Sequence, residues 1–334
     1  MDQRLQILRS WLDTVVNAPS YQLHAASSDA SFRRYFRVCT AEHSYIAMDA
    51  PPDKYDSGIY IRVAEYLLSV GLNVPRLVHS DLHHGFLLLT DLGDQLYLTQ
   101  LNDGTVERLY GDAMRALRVL QTAKPLIPGL RAYDQDLLLT EMKLFGEWYL
   151  EHHLRIHLTP KQRRILDRTF HTLAQRASEQ PTVLVHRDYH SRNLIVTPKN
   201  NPGIVDFQDA VRGPVTYDLV SLLCDCYISW PRQEVERWVA GYHAAAKRSG
   251  IPICEAAGEF LAWFDWMGVQ RHLKAVGIFA RLRHRDDKPN YIADIPRTLD
   301  YVLEVSERYA ELRPLRELLR ELEVPPGTEG GGVT

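Results

Sequence analysis

Two short segments hold the residue types that phosphoryl transfer to an alcohol requires. The first is Val185-His186-Arg187-Asp188-Tyr189-His190-Ser191-Arg192-Asn193; the second, after a strand-like run, is Ile204-Val205-Asp206-Phe207. Such a reaction needs a carboxylate to align the attacking hydroxyl and accept its proton, and Asp188 is the candidate base. It also needs hard oxygen ligands that hold Mg²⁺ against nucleotide phosphates. Asn193 offers an amide oxygen and Asp206 a carboxylate. Read blandly, all three are loop caps and turn formers. The Asn five residues after the Asp, the flanking β-branched runs and the later Asp-Phe favour the chemical reading. His186 is expected to brace the loop backbone, and Arg187 to pair with a carboxylate. Asp218, at a helix start, is expected to accept the loop's backbone N–H groups, because a buried loop must satisfy them.

Something must position these groups. Leu5, Leu8, Trp11, Leu12 and Val15 recur at helical spacing. Strand-like runs follow at 31–38, 45–48, 76–79 and 86–90, with a helix over 59–70 closed by Gly71. Asp91-Leu92-Gly93-Asp94 breaks the last strand and marks a domain boundary. Beyond it, helix-period patterns cover 106–122, 137–154, 160–175, 214–225, 234–247, 260–282 and 295–309, interrupted by a β-branched island at 183–207. The expected fold is α+β and bilobal, protein-kinase-like. A nucleotide-binding lobe with a leading helix spans 1–92, a catalytic and sugar-binding lobe 93–323, and a flexible tail 324–334.

Bulk properties exclude several classes. A net charge of −3 over 334 residues gives no basic field for nucleic acid. No apolar run is long enough to span a membrane. Four cysteines in so long a chain, and no signal peptide at its start, point to a reducing cytoplasm, and a monomer is expected. Cys224 and Cys226 sit two apart in a helical pattern without a second pair, so they read as structural thiols rather than a zinc site.

These segments resemble the aminoglycoside phosphotransferase and choline kinase group of small-molecule kinases. Within it, Asp29 to Arg37, Met48-Asp49-Ala50-Pro51-Pro52, Asp206 to Ala210, Asp225 to Pro231 and Gly268 to Phe279 are similar to the bacterial anomeric kinases of amino sugars. The resemblance runs from about Ser28 to Leu282. It implies ATP and Mg²⁺, with N-acetylmuramate and N-acetylglucosamine as acceptors and the sugar 1-phosphate as product. It also implies a place in peptidoglycan recycling, on a route that bypasses part of the step fosfomycin blocks.

The chain departs from the broad group at the nucleotide. A Gly-rich loop is absent, and Ser28 to Phe36 occupies its place. Ser31 is small enough for backbone to approach phosphate, and Arg33 or Arg34 supplies charge. Met48 stands where a strand lysine is usual; Glu65 would be that lysine's partner, and Arg33, Arg34 or Arg62 could compensate. Adenine is expected against the backbone of Thr90, Asp91 and Leu92. Only a few residues separate Asp206 from the next helix, leaving no long segment to present a protein substrate, so the acceptor is a small molecule. Sugars are held by planar polar groups and aromatic faces, available here in Asp225, Tyr227, Trp230, Gln270, Arg271 and Lys274. Either Arg271 or Lys274 could pair with a lactyl carboxylate. Two alternatives stay open on the residues alone. One is a kinase acting on an aminoglycoside, choline or ethanolamine, or homoserine; the other is an inactive nucleotide-binding scaffold.

Overall fold

The structure is a computed structural model that describes residues 2–27, 33–124 and 127–324. The chain forms two compact units, Met1–Gln95 with Ile195–Gln208, and Leu96–Leu194 with Asp209–Thr334. A single cut at residue 92 therefore does not describe the chain, because 195–208 returns to the first unit. Its ties there are specific. Ile204 donates to the Asn73 carbonyl at 2.8 Å, Val196 donates to the Gln95 carbonyl at 2.7 Å, and the Phe207 ring packs on Tyr60 at 4.8 Å. Of the expected tail, Val324 is buried, and the rest lies outside the described residues.

The first unit begins with α1 (Gln3–Val15), capped by the Asp2 side chain. An antiparallel sheet follows, made of β1 (Gln22–Ser27), β2 (Arg34–Cys39), β3 (Ser44–Asp49), β4 (Leu77–Asp81) and β5 (Phe86–Thr90) in the order β1-β2-β3-β5-β4. Between β3 and β4 lies α2 (Ser57–Ser69). Leu8 and Leu12 of α1 pack on Val38, Ala47, Phe86 and Leu88, one face of the sheet by the period of two. Met48, Leu87 and Leu89 take the other face and are also buried. Strand β1 escapes the sequence pattern because it is an exposed edge in which Leu23 is the one large apolar side chain.

In the second unit come α3 (Tyr97–Gln100), α4 (Val106–Thr122), α5 (Gln135–Leu144), continued by π-helical turns over Phe145–His153, and α6 (Pro160–Ser178). Strand β6 (Thr182–Val185) then leads into the motif loop. Next are the two-residue β7 (Leu194–Ile195), where the chain passes to the first unit, its partner β8 (Gly203–Ile204), and β9 (Val211–Pro214), antiparallel to β6. The chain ends with α7 (Tyr217–Leu223), α8 (Arg232–Arg248), α9 (Ala257–Arg285), α10 (Ile295–Arg308) and α11 (Arg313–Glu321). Helix α7 is shorter than the pattern over 214–225 because Pro214 belongs to β9 and Cys224 caps the helix.

Helix α9 runs through this unit against α5, α6, α7, α8 and α10. It is buried over most of its length, which explains why its sequence lacks a clear polar face. At Gly277 it crosses the end of α5 so closely that an added Cβ would lie 2.4 Å from the Leu144 carbonyl carbon.

Candidate active site

Strand β6 ends at Val185, and the loop it feeds is held from below by Asp218 in the first turn of α7. Asp218 is fully buried; its two oxygens accept the His186 N–H at 2.6 Å and the Arg187 N–H at 3.0 Å. Burial pushes its carboxyl up to about 7 against the pull of those two bonds. Arg187 adopts φ of +78°, a strained left-handed conformation for a residue with a Cβ, and this turns the chain into Asp188. The Asp188 N–H donates to His186 Nδ1 at 3.2 Å. That nitrogen therefore carries a lone pair, which places the proton of the neutral ring on Nε2.

Asp188 is half-buried. Burial raises its pKa, but the charges of Lys274, His190, Arg187 and Arg271 outweigh this and hold it down at about 2. A carboxylate so acidic aligns a hydroxyl and accepts its proton only late. Its backbone carbonyl accepts the Asn193 Nδ2 at 2.9 Å and the His190 N–H at 3.1 Å. With the amide nitrogen directed to the loop in this way, the Asn193 oxygen is the end that can serve a cation.

A buried charge network stands behind the loop, and sequence reading did not assign it. Glu141 on α5 accepts Arg187 and the Tyr133 hydroxyl, and lies 3.3 Å from Lys274 Nζ. Lys274 also donates to the Tyr217 hydroxyl at 2.9 Å. The signal was present, because Glu141 falls on the apolar stripe of α5 with Leu138, Met142 and Phe145, where an unpaired carboxylate would not be tolerated.

The sugar candidates separate into two groups. Asp225 accepts the N–H groups of Ser191 at 2.9 Å and Tyr227 at 3.0 Å, so it braces two loop segments instead of facing outward. The face of Tyr227 is covered by the Arg192 guanidinium at 3.6 Å, and the Trp230 indole donates to Tyr110 at 2.9 Å. Gln270, Arg271 and Lys274 share one side of α9 and are 0%, 5% and 7% exposed. Cys224 and Cys226 are buried thiols, and burial raises both pKa values.

In the first unit, Asp206 takes φ of +63°, the second strained position of the motif. It accepts Gln208 Nε2 at 2.7 Å and pairs with Arg33 at 3.2 Å; the Arg33 guanidinium lies over the Tyr55 ring. Arg34 lies on the other side of the strand. Alternation along β2 turns it to the α1 face, where it pairs with Asp2 and the buried Asp49, which also holds Arg4. Its guanidinium thus ties the sheet to α1. Met48 is fully buried, Glu65 is exposed, and Arg62 lies 3.6 Å from Asp56. The Thr90 hydroxyl and N–H both bond the Arg76 backbone. The Asp91 carboxylate holds Arg37 and the Gly93 N–H, and Leu92 packs beside Gly203. Ser31 lies outside the described residues.

Each unit offers a hard oxygen donor of the kind Mg²⁺ takes, the Asn193 amide in the second and the Asp206 carboxylate in the first. Among the described residues no cluster of three or more His, Cys, Asp or Glu competes as a metal site.

Comparison with known proteins agrees with this chemistry. A family model described as "Phosphotransferase enzyme family" matches residues 22–257. The chain is 45% identical to the N-acetylmuramate/N-acetylglucosamine kinase of Pseudomonas putida, covering 96% of this chain and 97% of the relative. It is 44% identical to the protein of that name from Neisseria meningitidis serogroup B, covering 96% of each. Among solved structures, the GDP complex of aminoglycoside 2'-phosphotransferase-IIIa aligns with a TM-score of 0.63 at 15% identity, over 92% of this chain and 100% of that one. A choline kinase from Streptococcus pneumoniae aligns with a TM-score of 0.62 at 13% identity, over 90% and 99%. The fold is that of the protein-kinase-like phosphotransferases, and the chain belongs to the phosphotransferase enzyme family.

Proposed function

We propose that this protein transfers the γ-phosphoryl group of ATP to the anomeric hydroxyl of N-acetylmuramate, and of N-acetylglucosamine, giving the sugar 1-phosphate and ADP. The observation that carries this reading is Asp188, an acidic carboxylate held on a loop braced by Asp218, in a chain 45% identical to a relative named for those two sugars. Asp188 accepts a hydrogen bond from the acceptor hydroxyl and fixes the direction of its lone pair. As the new O–P bond forms and the β–γ bond breaks, the hydroxyl proton passes to Asp188 and then to solvent. His186 and Asp218 keep the loop rigid, and the charges of Lys274 and Arg187, themselves held by Glu141, keep Asp188 ionised. Asn193 and Asp206 are the residues that would hold Mg²⁺, which would supply charge neutralisation at the phosphate oxygens. Arg33 is the cation of the nucleotide side, and adenine lies against the Thr90–Leu92 backbone. The enzyme works in the cytoplasm on amino sugars released during peptidoglycan recycling.

The test is direct. The protein is incubated with ATP, Mg²⁺ and each sugar, and the phosphate is located by phosphorus NMR. A signal coupled to the anomeric proton is expected; phosphate on the 6-hydroxyl, or none on either sugar, overturns the reading.

A further inference from the structure

The sequence offers two cations, Arg271 and Lys274, for an acidic acceptor and does not choose between them. The structure does. Lys274 is compensated, with Glu141 at 3.3 Å and the Tyr217 hydroxyl at 2.9 Å. Arg271 is not. It is 5% exposed, and among the described residues its one hydrogen bond goes to Cys226 Sγ at 3.6 Å, while its Nε has no partner. A guanidinium buried without a carboxylate or carbonyl on its donors is costly, and proteins keep one where something else repays the cost. Beside it on α9, Gln270 is fully buried, and both ends of its amide lack a partner among the described residues. Two adjacent residues thus hold buried donors left without a partner, Arg271 Nε and Gln270 Nε2, a patch of the kind a carboxylate would satisfy. Arg271 is also near enough to Asp188 for its charge to act on that carboxylate, which puts this surface in the neighbourhood of the transfer site.

The two sugars in the relatives' name differ by one group. N-acetylmuramate carries a lactyl ether whose carboxylate is anionic at neutral pH, and N-acetylglucosamine has a hydroxyl there. We infer that Arg271, assisted by Gln270, receives the carboxylate of the acidic sugar and sets the preference between the two acceptors. This rests on the amino-sugar reading above and adds a residue-level selector to it. Asp225, Tyr227 and Trp230 are already engaged with protein groups and do not compete for that role.

The experiment has two arms. In the first, the wild-type protein alone is titrated and assayed with N-acetylmuramate, its methyl ester and N-acetylglucosamine. The acid is expected to bind and react on the order of 10- to 100-fold better than the ester, the loss of one charge-assisted pair. Equal handling of acid and ester overturns the inference, and this arm needs no variant to fold. In the second arm, Arg271→Met is expected to narrow the ratio of N-acetylmuramate to N-acetylglucosamine turnover by that factor, over and above any loss common to both sugars from removing a charge beside Asp188, and Arg271→Lys to recover part of the ratio. Equal losses for both sugars would make Arg271 a general support and overturn its role as selector. If the wild type phosphorylates neither sugar, the amino-sugar reading falls and this inference falls with it. If both react but the acid shows no advantage over its ester, the inference alone falls.

Discussion

Asp188 carries two properties that pull apart under mutation. Its carboxylate is the proton acceptor, whereas its backbone carbonyl is the acceptor for Asn193 and His190. Replacement by Asn removes the first and leaves the second, so the loop should keep its shape. Turnover in Asp188→Asn is expected to fall by on the order of 10²- to 10⁴-fold, with nucleotide affinity measured by calorimetry close to wild type. A comparable fall in nucleotide affinity would assign Asp188 another role. His272 gives a second residue-scale expectation. Burial, reinforced by the charge of Arg271, lowers its pKa to about 3 from 6.5, and its Nε2–H donates to the Cys224 carbonyl at 2.8 Å. The unfolded chain therefore binds a proton that the folded chain refuses between those values. Stability is full above pH 6.5 and declines as pH falls toward 3. Urea midpoints between pH 7 and 4.5 should drop more steeply in wild type than in His272→Gln. The motif residues were legible in the sequence because their spacing is short and local. Glu141 was not singled out because its partners Arg187 and Lys274 are remote along the chain.

Elements obey periodicity, and where periodicity failed as a guide the cause is visible. Strands β2, β3 and β5 and helices α2, α4, α6, α8 and α10 lie close to their patterns, since each has one buried face. Strand β1 is an exposed edge with little apolar content, and α9 is buried nearly all round, so pattern alone said little about what each packs against. The same alternation separates neighbours that the sequence treated as equivalent: Arg34 turns to α1, and Arg33 to Asp206. Along α9 the glycines make a paired prediction. At Gly277 a Cβ would sit 2.4 Å from the Leu144 carbonyl carbon and 2.5 Å from the Phe145 nitrogen, so backbone must move. At Gly268 the nearest atom would be 3.8 Å away, ordinary contact. Gly277→Ala should destabilise by about 1–3 kcal/mol or more, whereas Gly268→Ala should be neutral or gain up to about 1 kcal/mol of helix propensity. Thermal melts of the two variants decide it.

At the scale of the whole molecule, the first compact unit is discontinuous in sequence. No composition shift or linker marks the return of Ile195–Gln208, which is why a single cut near residue 92 was the natural reading. The return is physical all the same. Ile204 extends the backbone bonding of Asn73, the Asn73 side chain reaches Thr197 at 3.2 Å, and Phe207 covers the buried Tyr60. Arg33, 9% exposed, meets its carboxylate in the same segment, at Asp206. A fragment ending at Gln95 would leave the Asn73 carbonyl without that partner, Tyr60 without its ring contact, and a buried guanidinium without its anion. Each loss falls among the costly mechanisms of destabilisation. Expressed alone, residues 1–95 should therefore show poor dispersion in a proton–nitrogen NMR spectrum and no cooperative melt. Adding a peptide of residues 195–208, or joining it through a flexible linker, should restore both. A fragment 1–95 that melts cooperatively without the peptide would show that the sheet and α1 suffice, and that 195–208 docks on a unit already formed.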